Sequence, residues 1–534
     1  MVNLLYSMVR GVIELPKQLR WSYLPPLMVY LAAGVSGLTA IVGTFFIKDY
    51  LNLSAAFLAS LGFWAGLPWA LKMPLGHLVD LVWKHKGYLV GLGAIIIAAS
   101  LLIMHGLIGH TAFMAEIMPL ETWFVVSVIL GPVGYVTQDV VADAMTVEAV
   151  PERNANGSTI APSQLKNMHT TMQTLGRFAI IGGTVLVSFA NVIIFTDAEN
   201  LSESARIDLY ADIYLFALAI PALSVAGVLL AHLQQRYHNH LKNSSKHDLS
   251  TFDQKPKINW SILLGSIAFV IFSVSVGTSG MAYAQELVFA GSVSIILFLM
   301  SQLVRVLMPE QQLTIIGTAI IIFMFRAMPS PGASLTWFEI DQLLFNEQFL
   351  SVLSLIASLL TLVGIVLLRP FMANNSIARI IFILSIVGAI LFLPSVGMYY
   401  GLHEWTAEQS GGLVDAKFIA IINTAVESPL GQVSMIPLLA WIARNAPIQL
   451  KATFFAVFAS FTNLALSASA LGTKYLNQAF VVTREVKDKL TGNIVATADY
   501  SELGLLLITV LLITFIVPIG TVVIIQNSRF KTSD

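Results

Sequence analysis

Asp139 and Asp143 stand in the run Gly131-Pro-Val-Gly-Tyr-Val-Thr-Gln-Asp-Val-Val-Ala-Asp-Ala-Met-Thr-Val-Glu148, which is otherwise apolar and long enough to cross a bilayer. An ionisable side chain at membrane depth costs at least ~2.5–3.5 kcal/mol on insertion scales and usually faces a polar cavity or a partner charge. A cost of that size points to a transport pathway. Three further charges lie in apolar runs: Arg177, Arg326 and Glu427. Depth can be compared by counting residues at ~1.5 Å each. On that count Asp139 and Arg177 lie at matching depth in consecutive helices and can reach each other, while Arg326 and Glu427 both fall near the bilayer midplane. Each half of the chain thus offers one base and one acid. Either the first pair is an internal ion pair that holds two helices together, or the four groups touch a solute or a proton.

Other residues cluster near these positions. Gln138 and Gln432 are candidate polar contacts for the same solute. Asp143 and Glu148 lie closer to the membrane surface and, with Asp80 in a short loop, read as gate or capping charges. Pro329, Pro331 and Gly332 interrupt an apolar run, and the backbone groups they free must line a cavity or be met by neighbours. Trp64, Trp69, Tyr135, Trp337 and Phe338 offer faces on which a flat heteroaromatic ligand can stack, or simply pack. The histidines show no metal-ligand spacing, there is no cysteine, and no phosphate loop or nucleophile elbow occurs. Neither a metal, a cofactor, ATP hydrolysis nor an intramembrane enzyme has support.

The elements that position these residues are apolar runs near 20 residues, the length that ~30 Å of hydrocarbon requires of a helix. Fourteen are expected, over 24–48, 53–74, 88–107, 122–148, 168–195, 212–233, 259–277, 284–307, 312–340, 346–368, 377–400, 416–442, 449–473 and 503–526. With 534 residues, 56% hydrophobic and only 11% charged, the chain is an all-α polytopic membrane protein. Its net charge of −1 gives no basic field for nucleic acid. Most of the Lys and Arg fall on the N-terminal side of the bundle, which places both termini in the cytoplasm; a bacterial inner membrane is the expected location. Lys474, Arg484, Lys487 and Lys489 sit on the other side, in what reads as an ordinary solvated loop.

The chain also echoes itself. Pro132, Gly134 and Val136 answer to Pro429, Gly431 and Val433, and Phe46-Ile-Lys-Asp49 answers to Phe338-Glu-Ile-Asp341. The expected organisation is an N-terminal six-helix half at 1–233, a basic cytoplasmic linker at 234–258, an inserted helix pair at 259–311 and a C-terminal six-helix half at 312–534. Such a plan resembles the major facilitator superfamily with an extra central pair, in which parallel halves enclose a site near the midplane. The loop Gly76-His-Leu-Val-Asp80 with Lys84 and Lys86 is a partial match to the superfamily's cytoplasmic gate motif, with Leu81 where an arginine is expected.

Several stretches carry a more specific resemblance: Phe45-Phe-Ile-Lys-Asp-Tyr-Leu-Asn-Leu-Ser54, Leu67-Pro-Trp-Ala-Leu-Lys72, Gln138-Asp-Val-Val-Ala-Asp-Ala-Met-Thr-Val-Glu148, Ala327-Met-Pro-Ser-Pro-Gly-Ala-Ser334, Gly431-Gln-Val-Ser-Met-Ile-Pro-Leu-Leu439 and Ala452-Thr-Phe-Phe-Ala456. In this order over 24–480 they resemble the folate-biopterin transporter family of the major facilitator superfamily. The resemblance implies uptake of pterins, driven by a proton gradient. A pterin ring presents a 2-amino group beside a ring N–H, which Glu427 or Asp139 can accept, and a folate tail carries carboxylates that suit Arg326 or Arg177. The insertion at 259–308 departs from the family's twelve-helix plan. The muropeptide permease family shares the Gln-Asp-x-x-x-Asp-Ala pattern and is the alternative carrier, and a membrane assembly factor on the same fold is the alternative outside transport.

Overall fold

The computed structural model describes residues 19–51, 53–70, 72, 75, 79, 82, 85–151, 158, 160–242, 271–273, 275–277, 279, 281–305, 308–430, 433, 451–487 and 494–532. Among them, eight helices are long and apolar enough to span a bilayer, and Ala55–Ala70 and Ala284–Phe298 are shorter apolar helices. The expected helix at 259–277, the C-terminal part of that at 416–442, Asp80 and Gln432 fall largely or wholly outside the described residues.

The N-terminal group begins with α1 (Leu24–Val35) and α2 (Ala40–Tyr50), joined by a 3-10 turn at Ser36–Thr39. It continues with α3 (Ala55–Ala70), α4 (Lys86–Gly109), α5 (Leu120–Ala149) and α6 (Pro162–Ile194). Two helices then follow, α7 (Glu203–Phe216) and α8 (Ala219–Lys242). The helix α8 runs nine residues into the stretch expected to be linker. Apolar patterning stops near residue 233, but α-helical backbone needs no apolar face where it projects beyond the bilayer.

A further helix, α9 (Ala284–Val304), in the stretch expected to be inserted, precedes the C-terminal group. That group holds α10 (Pro309–Arg326), α11 (Ala333–Asp341), α12 (Glu347–Leu367), α13 (Ile377–Tyr399), α14 (Ala416–Glu427), α15 (Lys451–Ala479) and α16 (Leu503–Gln526). The starts follow from side chains that accept the free first-turn N–H groups: Ser202 for α7, Ser376 for α13 and Asp415 for α14. Between α15 and α16 a two-stranded antiparallel hairpin forms, β1 (Val486–Lys487) with β2 (Ile494–Ala496).

Small residues bring helices to contact. A Cβ on Gly34 would lie 2.0 Å from the Ile180 carbonyl, and one on Gly183 2.7 Å from that of Leu31, so α1 and α6 touch backbone to backbone. Two pairs of helices join the groups: α3 packs along α15, and α6 along α12. The inserted α9 lies over the first of these seams, with Val288 buried among Phe63, Leu67 and Leu471. Below, the proximal end of the bundle is the one carrying the inner ends of α3 and α5, near Lys72 and Glu148. The distal end carries residues 50, 341 and 484.

A candidate transport site of buried charges

Helix α5 places Asp139 and Asp143 one turn apart, and both turn towards α3 and α1. Lys72 Nζ lies 2.5 Å from Asp139 Oδ2 and 2.7 Å from Asp143 Oδ2. The Tyr30 hydroxyl donates to Asp143 Oδ1 at 2.6 Å. A single ammonium is thus shared by two carboxylates and backed by a phenol. Arg177 on α6 is exposed and close enough for its field to act on Asp139.

This corrects the expected pairing: Asp139 is bridged by Lys72, not by Arg177. Lys72 stands towards the end of the expected helix at 53–74, and the sequence assigned it no acid partner. Its four-carbon stem nevertheless carries the ammonium inward to α5. Asp143 is part of this cluster rather than a separate surface charge. Glu148 does sit at the proximal surface, 2.8 Å from Lys86 at the start of α4. Gln138 is buried and donates to the Val90 carbonyl at 3.1 Å, so it fastens α5 to α4 and does not face Asp139's partners. The period of the helix explains this, because neighbouring residues point ~100° apart.

One turn further along α5 towards the distal end, at ~6 Å by helical rise, Tyr135 lines a cavity of about 440 Å³ between the Ser36–Thr39 turn, α2, α3, α4, α5 and α7. Ser36, Thr39, Thr44, Ser100, Ser127 and Tyr214 add hydroxyls to an otherwise apolar wall. Among the described residues, no charged side chain lines it. Asp139, Arg177, Arg326 and Glu427 do not line this cavity, and Asp139 follows its lining residue Tyr135 by one turn of α5. Arg326 ends α10 and Glu427 ends α14.

The break foreseen at Pro329, Pro331 and Gly332 separates α10 from α11, and Gly332 takes φ +65°. Its freed backbone groups are met by α15. Thr473 Oγ1 accepts from Ser330 N at 3.0 Å, Ser469 donates to the Met328 carbonyl at 2.7 Å, and Asn477 donates to that of Pro331 at 3.2 Å. Ser334 completes the set with a 2.5 Å bond to Asn477. Positions 469, 473 and 477 recur every four residues, so one face of α15 holds the break.

The distal end is fastened across the two groups. Lys48 Nζ lies 2.5 Å from Asp341 Oδ1 and 3.0 Å from Asp49 Oδ1, and Tyr500 donates to Asp341 Oδ2 at 2.5 Å. Tyr210 bonds Glu347, and Asn346 bonds Glu199. Arg484, read from sequence as solvated, is 3% exposed. It donates to the carbonyls of Ile47, Lys48, Leu51 and Leu53, and its guanidinium lies 3.9 Å from the centre of the Trp337 ring. Burial pushes the guanidinium down to about 10, against the pull of Tyr500, Asp49 and Asp341, so it stays a cation at neutral pH. Trp337 is consequently not a free stacking face.

Helix order and the two seams give an all-α membrane bundle of the major facilitator fold. The fold is shared with a POT family transporter solved in complex with 5-aminolevulinic acid (TM-score 0.61, 12% identity, 96% of each chain covered). It is shared also with the nucleoside transporter NupG (TM-score 0.53, 13% identity, covering 96% of this chain and 100% of that one). The chain belongs to the BT1 family, whose model matches residues 33–533. A folate-biopterin transporter of Synechocystis sp. is 23% identical over 451 residues, which are 83% of this chain and 72% of that protein.

Proposed function

We propose that this transporter moves a pterin-like organic solute by alternating access, coupled to protons, with residues 1–233 and 312–534 as the two moving halves. The observation that carries the reading is the Lys72 ammonium held between Asp139 and Asp143 beside a hydroxyl-lined cavity. One cation facing two carboxylates leaves one negative charge in the cluster, so the site takes up a proton, or a donor-bearing solute, without creating a buried excess of positive charge. The mostly apolar cavity with neutral hydroxyls suits a heteroaromatic ring. Arg177 provides a cation for an acidic tail. Arg326 and Glu427 act from the C-terminal half, and Gln432 and Asp80 are assigned by the sequence pattern to substrate contact and gate. The Lys/Arg bias supports a cytoplasmic proximal end, and the name of the Synechocystis relative supports the substrate class.

The test is uptake of labelled folate, biopterin and muropeptide into cells that lack their own carriers, with and without a proton uncoupler. Pterin uptake that the uncoupler abolishes is expected. Uptake of muropeptide alone, or of none of the three, would overturn the substrate reading.

A further inference from the structure

Helix α2 ends where Leu51 turns extended, at φ −111° and ψ 120°. The last carbonyls of a helix have no partner within it and carry the negative end of its dipole. Here the carbonyls of Ile47, Lys48, Leu51 and Leu53 all converge on one guanidinium, which comes from the other end of the chain. Arg484 is held in turn by its own group, lying flat over Trp337 of α11 and following the end of α15 by five residues. Its surroundings carry Asp49 and Lys48 from α2, Asp341 from α11 and Tyr500 from the segment before α16. A fork of donors filled by four carbonyls between residues 47 and 53 is a geometry that Lys cannot reproduce.

We propose that Arg484 is the latch of the distal gate: a positioning residue of the C-terminal half that caps the first spanning segment of the N-terminal half and must withdraw before the distal end can open. This rests on the alternating-access reading above but on none of its substrate chemistry. Lys48 and Asp341 lie beside it and can re-pair one at a time, whereas the four carbonyl bonds are made by one group and are lost together. Arg484 therefore sets the balance between closed and open distal states without touching the solute.

The chain has no cysteine, so a single introduced thiol reports accessibility without background. Thr44→Cys puts that thiol on the cavity wall below the latch. In full-length protein, its labelling by a membrane-impermeant maleimide is measured in right-side-out and inverted vesicles. With Arg484 present, labelling from the distal side is expected to be slow. Arg484→Ala is expected to speed it at least tenfold, and Arg484→Lys by an intermediate factor, while labelling from the proximal side falls. A merely structural role would change protein yield or thermal stability and leave the ratio of the two labelling rates unmoved. An unchanged ratio in a folded Arg484→Lys or Arg484→Ala protein overturns the proposal. If labelling shifts but no pterin is carried, the latch stands and the substrate reading fails. If pterin is carried and the ratio stays fixed, the reverse holds.

Discussion

At the scale of single residues, the central feature is an ammonium serving two carboxylates. Removing Lys72 leaves Asp139 and Asp143 facing one another at a turn's distance, whereas removing Asp143 leaves an intact Lys72–Asp139 pair. Breaking a buried pair by deleting one partner typically costs ~3–5 kcal/mol. Lys72 and Asp139 keep side-chain exposures of 20% and 13%, which lowers the expectation to about 2–4 kcal/mol for Lys72→Met, against about 1 kcal/mol or less for Asp143→Asn. Thermal unfolding of the purified variants checks the order, and equal losses would remove the shared-cation account. The two aspartates were legible because an acid in an apolar run has few other reasons to be there. Their partner was not, because Lys72 closes its run and depth along the chain does not tell how far a flexible stem reaches. Arg484 was illegible for a different reason: a charged residue in a polar loop carries no periodicity, and only the fold brings a helix end to it.

At the scale of elements, the break between α10 and α11 is a built feature. Gly332 at φ +65° and ψ −145° occupies backbone space open essentially to glycine, and a Cβ there would meet Thr473 Cγ2 at 2.9 Å. Gly332→Ala is expected to cost ~1–3 kcal/mol, more than Gly388→Ala in α13, where a Cβ meets nothing within 4 Å. Comparing the two variants' melting temperatures tests this; equal shifts would mean that the break tolerates a side chain. Two prolines and a glycine announce such a break in any sequence. That α15 would satisfy it through Ser469, Thr473 and Asn477 depends on a contact some 140 residues away. The inserted α9 is a second element with a visible role. Gln285 donates to the Ser60 carbonyl of α3 at 2.9 Å, and Glu286 pairs with Lys474 of α15 at 2.8 Å, so adjacent residues hold one helix from each group. Glu286→Gln is expected to lower stability by less than about 1 kcal/mol, as for other partly exposed pairs. It is expected to raise distal labelling of Thr44→Cys only slightly, and a loss as large as that from Arg484→Ala would show α9 to be the main tie.

At the scale of the whole molecule, the sequence echo between residues 46–49 and 338–341 acquires a physical meaning. The two copies lie at the same end and touch, Lys48 of one against Asp341 of the other. The polar contacts that cross between the groups and have been named at this end fasten it, whereas the Lys72 and Lys86 ion pairs both join helices of the N-terminal group. Among the described residues, the two groups are thus tied by side-chain contacts at the distal end. Composition and run length were enough to establish a helical membrane bundle. They could not establish which way the charges of the two groups turn, because that depends on helix rotation, which apolarity on all faces leaves unspecified.

The most direct test of the account is accumulation of labelled folate by the purified protein in liposomes, driven by an imposed pH gradient, comparing the native chain with Lys72→Met and Asp139→Asn. The account expects accumulation above equilibrium that collapses when the gradient is dissipated and falls at least tenfold in either variant. Gradient-driven accumulation that both variants retain undiminished would contradict it.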